Sequence, residues 1–134
     1  MKQAYFFIDD FIWTFRDVAR QKPASLFDNW YFGMLKRAHD EYGLTVQLNL
    51  FYRTDPFYSE DEFTLSEFPD TYKAEWEANA DWLKLAFHAR QEFPDYPYIN
   101  ADYEEMKLSY ERVANEIRRF AGERTLANAV AYHY

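Results

Sequence analysis

Two adjacent carboxylates, Asp9 and Asp10, close an apolar run that begins at Ala4. Two of the chain's three histidines, His88 and His133, close later apolar runs, whereas His39 lies inside a helical stripe. Carboxylate and imidazole together form a donor set for a divalent cation, and a carboxylate beside such a cation can take a proton from water. An isolated carboxylate at the edge of a core is too costly to keep, so it must be paired, capped or metal-bound. For Asp9 and Asp10 the alternative to a metal or base role is capping the next helix. They point to opposite faces of a regular strand and serve one site only if the chain turns there. For His88 the alternative is a histidine satisfied beneath a loop.

Glu92 stands four residues beyond His88 and is a further candidate ligand. A set of Asp10, His88 and Glu92 carries two negative charges, which favours harder cations such as manganese or magnesium over zinc. His133 either supplies another imidazole, contacts substrate or remains a terminal surface residue. Arg53 is a candidate for binding a substrate carboxylate or phosphate, against the alternative of a solvated strand-end arginine.

The elements that must position these groups follow from the hydrophobic pattern. Residues 3–9 read as a strand buried on both faces. Residues 11–20 fit a short helix capped by Asp9 or Asp10. Ser25 opens a helix with a stripe of Phe27, Tyr31, Met34, Leu35, Ala38 and Tyr42, ended by Gly43. Residues 44–52 alternate as a second strand. Strand, helix, strand implies a parallel pair with a right-handed crossover. Residues 53–63 form a long acidic and aromatic loop, of the kind that is often functional or mobile. A helix is expected at residues 71–81 with Asp70 as cap, a third strand at 82–88, a long helix at 102–121, and a fourth strand at 125–134. The class is α/β in one domain spanning residues 1–134, with a mainly parallel sheet or partial barrel. In such folds ligands sit at the carboxyl ends of strands, where Asp9, Asp10, Arg53, His88 and His133 all fall.

The totals narrow the function. A net charge of −8, from 15 basic and 23 acidic residues, argues against nucleic-acid partners and anionic membrane surfaces. The absence of cysteine removes disulfides, thiolate ligands and a cysteine nucleophile. Nothing reads as a signal peptide or membrane span, so a cytoplasmic protein is the expectation. Thirteen Phe, 12 Tyr and 4 Trp supply core rings, and some Tyr and Trp are candidates to line a groove for sugar rings. Three glycines form no phosphate-binding loop.

Phe7-Ile8-Asp9-Asp10 resembles the first motif of the polysaccharide deacetylase family, the chitooligosaccharide deacetylase-like enzymes of carbohydrate esterase type 4. Phe87-His88-Ala89-Arg90-Gln91-Glu92 resembles its second motif, with Glu92 in place of a second ligand histidine. The first motif's threonine is missing, and the family's later arginine and histidine motifs have no counterpart. The resemblance covers roughly the first half of a family domain. It implies a distorted (β/α) barrel, here about four βα units, with one divalent metal, usually zinc. It implies Asp9 as general base, Asp10 and His88 as metal ligands, and hydrolysis of N-acetyl or related groups on carbohydrates or small amides. The other reading is a catalytically inactive deacetylase-like domain that binds carbohydrate or protein. A half barrel leaves strand edges open, which favours pairing with another copy.

Overall fold

A computed structural model describes residues 6–133. Three parallel strands form an open sheet in the order β1-β2-β3, with β1 at Phe6–Phe11, β2 at Val46–Phe51 and β3 at Leu83–Ala89. Helices α1 (Trp13–Gln21) and α2 (Trp30–Tyr42) connect the first pair, and α3 (Lys73–Ala78) connects the second. Helix α4 (Tyr103–Phe120) follows β3. The α/β class and the parallel strands agree with the sequence reading; residues 3–5 of the expected first strand lie outside the described residues.

Two expectations are corrected. The expected half barrel of about four βα units does not form: the described residues make an open sheet of three strands. Residues 123–125 make a 3-10 turn, and the chain beyond follows β3 without becoming a regular strand. Its backbone pairs with that of β3 through a single parallel bridge, Leu85 to Leu126, and through two bonds, Ala127 N to the Leu85 carbonyl and His133 N to the His88 carbonyl. Ala127, Asn128, Ala129 and Ala131 in this segment lack the branched and aromatic side chains that favour a regular strand. Secondly, β1 is an edge strand rather than one buried on both faces: Phe6 and Phe7 are about half exposed.

The register explains which face does what. Alternate residues Val46, Leu48 and Leu50 of β2 sit beside Ile8 and Phe11 of β1 and beside Leu83, Leu85 and Phe87 of β3, and most are fully buried. Each α-helix sends a ring toward this side: Phe15 from α1, Phe32 from α2, Trp76 from α3 and Phe120 from α4 meet one another. Phe15 and Trp76 stack with planes 1° apart. The other residues of β2, Gln47, Asn49 and Phe51, face the opposite side and are also buried, although two are polar. Thus the alternation at residues 44–52 correctly separates two faces, but both are covered.

Helix starts differ from expectation for local reasons. Ile12, not an aspartate, precedes α1, and no side chain caps it. Ser25 caps the 3-10 turn Leu26–Asp28, leaving Phe27 outside α2. Asn29 then caps α2 by accepting from the amides of Tyr31 (3.0 Å) and Phe32 (3.3 Å). This later start rotates the stripe: Phe32 and Leu35 are buried, whereas Met34 and Tyr42 are exposed. Gly43 ends α2 at φ 71°, a conformation glycine adopts without a Cβ penalty. Asp70 caps nothing, because α3 starts at Lys73 after an uncapped Tyr72. Asn29→Ala should cost about 1 kcal/mol, readable as a shifted urea midpoint with an unchanged slope.

Candidate metal centre

Both outer strands carry one extra residue where the sequence placed its candidate donors. In β1, Ile8 and Phe11 pair with Leu48 and Leu50, so three steps on one strand match two on the other. In β3, Phe87 and Ala89 pair with the consecutive Leu50 and Phe51, leaving His88 as the added residue. Bulges re-aim side chains and are common beside functional sites. At the first bulge Asp10 adopts φ 56°, a left-handed conformation that aspartate tolerates better than most residues. This turn separates the two acids. Asp9 Oδ1 accepts from Asn49 Nδ2 at 2.6 Å, whereas Asp10 Oδ1 lies 3.0 Å from His88 Nε2 and 3.3 Å from His133 Nδ1.

The two imidazoles are held by their far nitrogens. His88 Nδ1 meets the Ala131 carbonyl, and His133 Nε2 meets the Glu92 carbonyl at 2.8 Å. A carbonyl only accepts, so those nitrogens carry the hydrogens. In the neutral rings, the remaining atoms, His88 Nε2 and His133 Nδ1, present lone pairs 3.2 Å apart, with the Asp10 oxygen beside both. Three electron-rich atoms so close repel unless an added proton or a cation sits among them. The Phe51 ring packs against both imidazoles, at centroid distances of 5.3 and 5.2 Å, and limits their rotation. His88 and His133 are buried, whereas about half of the Asp10 side chain is exposed.

Donors about 2.0–2.1 Å from a tetrahedral zinc stand about 3.3 Å from one another. Separations of 3.0, 3.2 and 3.3 Å therefore fit a single small cation. Among the described residues, Asp10, His88 and His133 form the group of three donors suited to a metal. The chain matches no family model, no curated protein and no solved structure. The reading of the site thus rests on its own chemistry.

The remaining candidates are placed as follows. Glu92 is not in the three-donor group; its backbone carbonyl orients His133, and its side chain lines a cleft of about 500 Å³ with Asp10, Trp13, Arg16, Tyr58 and Ser59. His133 supplies the third atom of that donor group, in place of the Glu92 carboxylate. Arg53 lies outside this cleft and pairs with Glu62 at 3.0 Å. That ion pair, and an antiparallel bridge to Thr64, tie down one end of the acidic loop. Asp9 occupies neither cap nor cluster.

One organising residue escaped the sequence reading. Asp55 is buried, and its carboxylate accepts from Phe57 N, Gln91 Nε2 and Phe93 N at 2.9–3.1 Å. It thereby pins the 53–63 loop to the segment that carries Glu92. The only signal was an Asp-Pro pair opening a loop, which is common in ordinary turns. Trp13 and Tyr58 meet edge to face at 6.3 Å and form an aromatic wall of the cleft.

Burial first, and the Asp10 carboxylate second, raise the Glu92 carboxyl above the ordinary glutamate range, against a lowering pull from His133. The folded chain therefore holds that proton better than the unfolded chain, and stability falls as pH rises through the raised value. Gln cannot titrate. Metal-free Glu92→Gln should match the parent's thermal midpoint near about pH 4 and exceed it near about pH 7. Identical differences at both pH values would contradict the assignment.

Proposed function

We propose that the chain is a metal-dependent hydrolase that removes acyl groups from N-acetylated sugars or related amides. Asp10, His88 and His133 would hold one divalent cation, with zinc preferred because two donors are imidazoles. The observation that carries this reading is the pair of backbone-anchored imidazoles whose other nitrogens converge on the Asp10 oxygen. A bound cation there would supply Lewis acidity and a lowered pKa for coordinated water.

The chain's own groups have separate tasks. His88 and His133 are buried donors fixed in orientation by carbonyls, a support that raises ligand basicity. Glu92, which lines the cleft, can accept a proton from water at the site. Asp9 is held by Asn49 through Oδ1 alone, and its other oxygen can still accept a proton. Trp13 and Tyr58 offer flat apolar surface to a half-polar ring. The link to acyl groups on sugars comes from the motif resemblance and these aromatic walls.

A second reading, carbohydrate binding without hydrolysis, is favoured by the position of Asp9, the expected general base, outside both the three-donor group and the cleft lining. Acetate release from an N-acetylglucosamine oligosaccharide, with and without added zinc, separates the two. Hydrolysis predicts zinc-stimulated release that disappears in Asp10→Asn. Binding alone predicts saturable oligosaccharide binding with no acetate, weakened in Trp13→Ala by on the order of 1 kcal/mol. Neither release nor binding would remove both readings.

A further inference from the structure

The segment leaving β3 separates two cavities. Glu92 lines the cleft beside Asp10, whereas Arg90 and Gln91 line another cavity of about 310 Å³ that also includes Tyr98, Glu105, Ser109 and Arg112. Its volume lies at the small end of ligand sites. Two guanidiniums border it in a chain of net charge −8.

These arginines differ from most others in the chain. Arg16, Arg20, Arg53, Arg118, Arg119 and Arg124 all pair with carboxylates. Among the described residues, neither Arg90 nor Arg112 forms an ion pair. Glu105 borders the same cavity but pairs with neither, so these three charged residues leave one net positive charge. Arg112 lies 5.5 Å above the Tyr52 ring, a contact that orients a guanidinium without neutralising it. Tyr98 ties the cavity together: it borders the cavity, and its hydroxyl accepts from Arg90 N at 3.2 Å. Gln91 contributes little to a ligand, because its amide nitrogen already donates to Asp55 and the Phe93 carbonyl.

We propose that Arg90 and Arg112 form a binding site for an oxyanion, a carboxylate or a phosphate group, in this cavity. A guanidinium presents planar, paired donors that match either anion, and charge-assisted bonds to it are the stronger class. The site is separate from the three metal donors and does not depend on the hydrolase reading.

Calorimetric titration of the full chain at low ionic strength, with inorganic phosphate and separately with acetate, tests it. Saturable one-site binding of at least one anion is expected, weakened about tenfold or more in the double variant Arg90→Gln/Arg112→Gln. Asp10→Asn should bind the anion as the parent does. Arg90 is exposed, so Arg90→Gln alone carries the test if the double variant fails to fold. Phosphate alone identifies a phosphoryl ligand and acetate alone a carboxylate. Absence of saturation by both anions, undiminished binding in the arginine variants, or loss of binding in Asp10→Asn would overturn the proposal.

Discussion

Asp10→Asn should bind zinc at least about 100-fold more weakly than the parent, because disturbing even the groups that orient metal ligands commonly costs 10–100-fold. Asparagine also tolerates the left-handed backbone at this bulge, so the change removes charge while limiting strain. His88→Ala and His133→Ala should show losses of similar size. Asp9→Asn should keep the metal, since Asp9 is directed to Asn49 and away from the three donors. Competition against a chromogenic chelator gives the affinities, and elemental analysis after dialysis gives the stoichiometry. One zinc per chain retained equally by Asp10→Asn and His88→Ala would end the metal assignment.

Phe15→Ala should have the largest effect on folding. Its ring is fully buried and meets the rings of Phe11, Phe32, Phe68, Trp76 and Phe120 at centroid distances of 4.9–5.9 Å. Truncating such a phenylalanine typically costs about 3–5 kcal/mol, from lost burial and the cavity left behind. A domain of this kind has roughly 5–15 kcal/mol in total, so a large share of the stability would vanish. Urea unfolding followed by circular dichroism measures the loss. Phe15→Leu keeps much of the volume and should cost less. A loss below about 1 kcal/mol in Phe15→Ala would show that the neighbouring rings collapse into the gap.

The three parallel strands were legible from their apolar runs, and a rim of candidate donors from the Asp and His that end them. Asp10 and His88 meet at that rim, with His133 beside them where Glu92 was expected. The choice between the two acids was not legible, because it depends on an unpaired residue in β1 and the φ of Asp10. No composition rule marks that position: aspartate is common at caps, turns and ordinary strand ends. The third donor was obscured for a related reason. Glu92 is near His88 in sequence, but its carbonyl turns toward His133, which arrives from forty-one positions further along. The stripe of α2 was rotated because two successive caps, Ser25 and Asn29, divided what reads as one helix. A fourth strand was over-read from the final apolar stretch, whose backbone touches β3 at only a few points.

The three donors come from residues 10, 88 and 133, so an ion held by all of them fastens remote stretches of chain together. Such a fastening restricts the unfolded ensemble much as a covalent tie across a long loop would. Release of the ion and loss of the fold should then be coupled: chelation lowers the melting temperature, and heating the loaded protein in excess ion raises it with concentration. The cation would thus be a keystone of the architecture as well as a reagent.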